Sequence, residues 1–347
     1  MHSILGGGSC RVLLAAFVAF MAVPALADGE VNVYTTREPG LIQPLLDAFA
    51  KEANTKVNVI FVESGLTERI EAEGANSPAD LISVVDYGNL IELLDRGLTQ
   101  PVESAVLDAA VPEHLRDPGG NWYALSMRAR VIYASKERVS EPPKTYEELA
   151  DAKWKGRVCI RSGQHPYNTS LFAALIAKDG AEKTEAFLTG LRANLARTAG
   201  GGDRDVARDI LADICDLGVA NSYYVGLMRS GAGGPEQQEW GSAINVVLPT
   251  FADGVGTHVN ISGAAIAKNA PNRENAVRLL EFLVSPEAQA IYARANFEYP
   301  VLAGAEVDPI IAALGELKPD PLPLHEIAAQ RRKASELVDK VGFDQEM

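Results

Sequence analysis

From residue 31 to residue 95 the chain switches between two hydrophobic periods. Val31-Asn32-Val33-Tyr34-Thr35 alternates apolar and polar positions as a strand does, and Leu41, Ile42, Leu45, Leu46 and Phe49 then recur at helical spacing. Val57-Asn58-Val59-Ile60-Phe61-Val62 returns to strand, and residues 65–74 fit a short amphipathic helix. Leu81-Ile82-Ser83-Val84-Val85 is a third, nearly all-apolar strand, followed by a helix through Leu90, Leu93 and Leu94 that Gly97 stops as a C-cap glycine. This β-α-β-α-β-α order with apolar strands predicts a parallel sheet covered by helices.

A second series follows. Residues 122–126 and 129–134 read as two adjacent strands, Glu141-Pro142-Pro143 as a rigid turn, and Thr145 to Glu148 has capping-box spacing before a short helix. A strand over 157–161 leads to a helix marked by Leu171, Phe172, Leu175 and Ile176. Helices over 183–197 and 203–215 flank Gly200-Gly201-Gly202, which reads as a turn. A phosphate loop would need a strand before it and Lys-Ser/Thr after it. Residues 216–221 form a short buried strand, with Ser222 as N-cap of a helix opened by Tyr223 and Tyr224. Strands at 245–249 and 257–268 and helices at 273–284, 286–295 and 324–341 complete the pattern. No repeat and no long linker is visible, so two lobes, the natural division of so long a chain, must be joined through ordered segments.

The first 27 residues change the picture of where the chain works. They carry one charged side chain, Arg11, then an apolar run over 12–23 and the small residues of Pro24-Ala25-Leu26-Ala27. This is the form of a secretory signal peptide cleaved after Ala27, with an apolar run too short to span a membrane. Cys10 precedes the apolar run, so a lipid anchor on cysteine is not expected, and the mature chain is expected to be soluble and exported. Losing Arg11 takes the formal net charge from −14 to −15. An acidic surface of that size argues against nucleic acid and anionic membranes as partners. Cys159 and Cys215 remain after cleavage; an even pair in an oxidising compartment is expected to form one disulfide, with two buried free thiols as the alternative.

Enzyme signatures are largely missing: no Gly-x-Ser-x-Gly elbow, no His-Glu-x-x-His motif, no Cys-x-x-Cys pair, and no metal spacing among His114, His165, His258 and His325. What stands out are three junctions where a strand hands over to a helix, the place where open parallel sheets bind ligands. The first is Tyr34-Thr35-Thr36-Arg37-Glu38. The second is Gln164-His165-Pro166-Tyr167-Asn168-Thr169-Ser170, and the third Ser222-Tyr223-Tyr224. Helix N-termini favour anions, so Thr169 and Ser170, with Arg37 or Arg130, are candidates for a small oxyanion. Adjacent tyrosines usually pack half-buried with their hydroxyls in water; the other way to satisfy both is a hard cation held by two phenolates.

Taken together, Val31-Asn32-Val33-Tyr34-Thr35-Thr36-Arg37, Asn76-Ser77-Pro78-Ala79-Asp80-Leu81 and Arg128-Ala129-Arg130-Val131-Ile132-Tyr133 resemble the ferric-binding-protein branch of the solute-binding proteins that serve ABC importers. So do Lys153-Trp154-Lys155-Gly156-Arg157-Val158, Tyr167-Asn168-Thr169-Ser170-Leu171, Ala220-Asn221-Ser222-Tyr223-Tyr224, Gly256-Thr257-His258-Val259-Asn260 and Glu298-Tyr299-Pro300-Val301. The series runs in order over nearly the whole mature chain. The resemblance implies a type 2 periplasmic-binding fold of two α/β lobes. The N-terminal lobe would comprise residues 28–126 plus 256–303 and the C-terminal lobe 127–255 plus 304–347, with crossover strands between them and the ligand in the cleft.

The resemblance further implies Tyr167, Tyr223 and Tyr224 as ligands of Fe(III), a hard ion matched by phenolate oxygen where softer metals more often meet imidazole or thiolate. Arg37 looks like the anion-binding arginine, with Arg128 or Arg130 as the second and Asn168 and Thr169 beside them. The anion would be carbonate or a similar synergistic oxyanion. Many relatives carry histidine, sometimes His-Tyr, after the first strand; here those positions are Glu38-Pro39. Glu38 and Tyr34 are then the first-lobe ligand candidates, Tyr34 with core packing as its alternative, and Asp86 occupies a further cleft-edge position. The expected role is capture of iron in the periplasm by a monomer and delivery to an inner-membrane ABC permease, without catalysis. The alternatives are a binding protein of the same fold for a small anion or organic solute, and an exported hydrolase.

Overall fold

The computed structural model describes residues 29–346; the signal segment expected over 1–27 lies outside them. β1 (Glu30–Thr35) is flanked on both sides by parallel partners, β2 (Lys56–Phe61) and β3 (Leu81–Val84). The helix Pro39–Ala53 covers this unit with Ile42, Leu45, Leu46 and Phe49, the positions that its 3.6-residue period singles out. β4 (Thr99–Gln100) is a short edge piece.

β5 (Tyr123–Ser135) departs from expectation. The two adjacent strands read at 122–126 and 129–134 are one strand of 13 residues, buried at every position. Met127-Arg128 reads as the break between them, yet the polar side chains here find partners inside the protein: Ser126 with Glu298, and Arg128 with the carbonyl of Val85 and with Ser262. Polarity that is paired does not end a strand.

The remaining strands are β6 (Val158–Cys159), β7 (Leu217–Asn221), β8 (Ile244–Val247), β9 (Val259–Ala267) and β10 (Tyr299–Pro300). They follow the order β2-β1-β3-β9-β5-β7-β6. Within β5, residues 123–129 pair with β9, and from Arg130 onward the partners are β7 and β8. One strand therefore belongs to two strand groups, one containing β1–β3 and the other β6–β8. β9 runs antiparallel to both β3 and β5, so the sheet is mixed where the repeating βα order suggested parallel strands throughout.

Other differences are local. The strand expected over 157–161 shrinks to β6, and the helix expected over 203–215 ends at Leu211, two residues before Asp213 adopts a left-handed φ of 60°. The tail expected as one helix over 324–341 is two, Leu324–Ala329 and Arg331–Lys340, broken at Gln330. The helix Pro235–Ser242, whose only buried residue is Gly241, has too weak an apolar stripe to be seen in sequence.

Cys159 in β6 and Cys215, just before β7, form a disulfide across 56 residues of sequence. Closing a loop of that length restricts the unfolded chain and is worth about 2–4 kcal/mol. The paired substitution Cys159→Ser with Cys215→Ser should lower the unfolding free energy by about that amount in denaturant titration, and reduction of the natural protein should do the same.

Candidate metal centre

The tyrosine pair is fixed by the junction before it. β7 ends at Asn221, and the helix Tyr223–Arg229 begins two residues later. Ser222 holds the N-cap position of that helix, but its side chain makes no capping bond to it. Its backbone N–H donates to the carbonyl of Ala129 at 2.9 Å, and its Oγ accepts from the Ala129 N–H at 3.1 Å. These reciprocal bonds clamp the junction onto the middle of β5. The rings of Tyr223 and Tyr224 then lie 4.1 Å apart between centroids. Tyr167 arrives from the helix Pro166–Asp179, whose cap is His165: Nδ1 of His165 accepts from the Tyr167 N–H at 3.2 Å. Burial, with Arg161 nearby, pushes the His165 imidazole down to about 4, so it stays a neutral acceptor. The hydroxyls of Tyr167 and Tyr223 meet at 3.4 Å.

These phenols sit among cations. The guanidinium carbons of Arg161, Arg128 and Arg130 lie 5.0, 5.6 and 5.9 Å from the Tyr167 ring centroid, and that of Arg204 lies 5.7 Å from Tyr224. Even so, burial raises Tyr223 well above its ordinary pKa of 10.0, and the charges that Tyr167 and Tyr224 would carry raise it further, against the pull of Arg128. Burial and Tyr167 raise Tyr224 in the same direction. Without a bound cation, both residues are neutral phenols. A highly charged ion reverses that balance, because it stabilises the phenolates it replaces protons on. Among the described residues no group of three or more His, Cys, Asp or Glu side chains is placed to hold a metal, which leaves phenolate oxygen as the clustered donor type.

Across a cavity of about 440 Å³ stands a second wall. Arg37, 5% exposed, donates through Nη2 to both carboxylate oxygens of Glu298 at 2.9 and 3.1 Å and to the hydroxyl of Ser262. Burial alone would raise the Glu298 carboxyl, but Arg37, Arg128 and the Ser126 hydroxyl outweigh it and hold the group below its usual 4.5. Arg128 also lines the cavity and reaches Ser262 Oγ at 3.2 Å and Asn260 Oδ1 at 3.4 Å. Glu38 lines the cavity and is exposed.

Six expected residues are not brought to that cavity, among them Ser170, whose hydroxyl pairs with His258 Nε2 at 2.8 Å. Arg130 is held by Asp203 at 2.6 Å, Asn221 at 3.1 Å and Asn168 at 2.5 Å. Asn168 gives its own amide protons to the carbonyls of Arg161 and Ser162, and Thr169 donates to the carbonyls of Gly163 and His165. These three brace the tyrosine wall from behind. Tyr34 packs away from the cavity and donates to Glu73 at 3.0 Å, under Arg69. Asp86, the other cleft-edge candidate, caps the helix Tyr87–Asp95 and pairs with Asn260 and Arg331. The sequence reading assigned no role to Glu298, Ser262, Arg204 or Asn296. Glu298 carried a usable signal, an acid set between Phe297 and Tyr299 in an otherwise apolar run; for the others only the fold brings them in.

The family described as bacterial extracellular solute-binding protein matches residues 76–313. The chain belongs to it. It is a family of solute-binding proteins and not of enzymes, and the chain has the type 2 periplasmic-binding fold. A solved structure titled Bordetella ferric binding protein is 61% identical, with a TM-score of 0.88, and the match covers 91% of this chain and all of that one. A Trichodesmium protein solved in complex with iron and citrate ligands is 40% identical with a TM-score of 0.87, again over 91% of this chain and 100% of that one. Iron uptake protein A1 of Synechocystis sp. is 42% identical over 316 residues, 90% of this chain and 87% of the relative. Among the described residues no helix is long and apolar enough to cross a membrane.

The pairing of Glu298 sets a pH dependence. Its folded pKa lies below its unfolded value, so its stabilisation is present above the unfolded value and is lost as pH falls through the folded pKa. Glu298→Gln should cost about 3–5 kcal/mol at neutral pH by leaving Arg37 buried without its counter-charge. It should also flatten the acid limb of the stability curve, measured by denaturant unfolding at stepped pH.

Proposed function

We propose that this solute-binding protein captures ferric iron in the periplasm and delivers it to an ABC permease of the inner membrane. The observation that carries this reading is the convergence of three tyrosines from two strand-to-helix junctions, facing buried arginines across one cavity. Tyr167, Tyr223 and Tyr224 bind the ion as phenolates, which together balance its three positive charges. Each phenol gives up its proton on binding, and the hard oxygen donors match a small trivalent ion. The names of the relatives, iron uptake and ferric binding proteins at 40–61% identity, support the same cargo.

A synergistic oxyanion, carbonate or a similar carboxylate, completes the site. Arg37 has a carboxylate partner in direct contact, Glu298. Arg128 gives its hydrogen bonds to neutral acceptors, the Val85 carbonyl, Ser262 and Asn260. The uncompensated charge therefore lies mainly at Arg128, and this residue with Arg37 is assigned to the anion in place of Arg130, Asn168 and Thr169. Glu38, on the rim, is free to supply an oxygen ligand or to remain solvated. The two lobes are assigned as residues 28–126 plus 256–303 and 127–255 plus 304–347, consistent with the change of partners along β5 between Ala129 and Arg130. Cleavage after Ala27 releases a soluble monomer, and closure of the lobes over iron and anion presents the loaded form to the permease.

Loading with ferric citrate should give a coloured protein, because iron-bound phenolates absorb visible light. Tyr223→Phe should lose the band and weaken iron binding by more than roughly a hundredfold, beyond what outer-shell partners usually contribute, with little change in the unfolding midpoint of the iron-free protein. A colourless, iron-free wild type after loading overturns the reading.

A further inference from the structure

Asn296 ends the helix Pro286–Asn296 and lines the same cavity as the tyrosines. It is 5% exposed, and neither its Nδ2 nor its Oδ1 has a hydrogen-bond partner. A buried carboxamide with both ends unpaired is costly and calls for an explanation. Core packing does not supply one, since leucine would fill the same volume without a polar atom. Two further unpartnered groups stand at the same wall, Arg37 Nε and Arg128 Nε, both buried and both donors. Tyr292, one helical turn before Asn296, lies under the Arg37 guanidinium at 5.7 Å.

The backbone around Asn296 is built to hold it there. Phe297 adopts φ 56°, a left-handed conformation rare for an aromatic residue. Its ring fills a notch over Gly226, where a Cβ would come within 2.2 Å of it. Gly226 belongs to the helix that opens with Tyr223 and Tyr224. The Phe297 ring thus seats this segment against the tyrosine helix, and its neighbours on either side, Asn296 and Glu298, both line the cavity.

We propose that Asn296 is a binding residue for the oxyanion that accompanies iron: Nδ2–H donates to an anion oxygen, and Oδ1 accepts from a hydroxyl or water of the bound complex. This rests on the ferric reading above and adds a first-wall residue to it. Carbonate-type and carboxylate-type anions share the required chemistry, an acceptor oxygen within reach of Arg37, Arg128 and Asn296.

The test is a ferric titration of full-length mature protein followed by the visible phenolate band, run with bicarbonate, with citrate and with neither. Asn296→Ala should keep the band and lose about tenfold in iron affinity, the scale of an outer-shell partner, in the arm containing the anion that it binds; which arm responds names the anion. Asn296→Asp should lose at least as much there, by repulsion. The iron-free Asn296→Ala protein should melt no lower than wild type, because an unpaired amide has been removed. Wild-type affinity in every arm, an equal loss with and without anion, or a lowered melting temperature with unchanged affinity each overturn the assignment while leaving the tyrosine site standing. A wild type without the band removes the ferric reading itself, and this inference with it.

Discussion

Tyr223 and Tyr224, raised by burial and by Tyr167 beside them, can both ionise only when a cation arrives that outweighs that burial and the mutual repulsion. The rest of the centre follows from that constraint. The four arginines whose guanidinium groups lie over these rings are close enough to favour phenolate, yet Tyr223 and Tyr224 remain protonated in their presence. A trivalent ion meets the requirement; a divalent one leaves a surplus negative charge in a buried place. The anion question arises for the same reason. In the proposed site phenolates and iron would balance, which would leave the buried guanidinium of Arg128 in need of a counter-charge, since Glu298 is in direct contact with Arg37 instead.

The scaffold meets this demand with short-range devices. The reciprocal bonds between Ala129 and Ser222 hold the tyrosine pair against β5, and the Arg130–Asp203–Asn168 network braces Tyr167 from behind. Both devices hang on one continuous strand. Because β5 pairs with β9 along its first half and with β7 and β8 along its second, the wall bearing Arg37 and the wall bearing the tyrosines are joined through the same backbone.

Much of this was legible in the chain. The periodicities at 31–49 give a strand and a helix because each has one buried face, the apolar run at 57–61 gives a strand that stays half-buried, and the tyrosines stand out because their chemistry is rare at a helix start. Asn168 and Thr169 read as anion ligands because junction residues usually face the ligand, and Arg130 as a nearby arginine that the resemblance also suggests; which way Arg130 turns depends on Asp203, 73 residues away in sequence. The break expected at Met127-Arg128 failed for a related reason. A charged residue in a strand reads as a boundary unless its buried partner is known, and the partners of Arg128 come from Val85 and Ser262. Asn296 carries no local signal, since an asparagine at a helix end is ordinary.

The disulfide has a meaning beyond stability. Cys159 stands eight residues before Tyr167, and Cys215 eight residues before Tyr223. The bond therefore yokes, with arms of equal length, the two chain segments that carry the phenols. In a reduced chain those segments are held beside each other by non-covalent contacts, the short β6–β7 pairing at Val158 and Cys159 and the Arg130 bonds to Asn168 and Asn221 among them. On the proposed reading, the spacing of the tyrosine donors is set covalently only after the chain has reached an oxidising compartment. The proposed export would thereby be part of assembling the proposed site, since a chain in a reducing cytosol lacks the brace that an oxidising compartment adds.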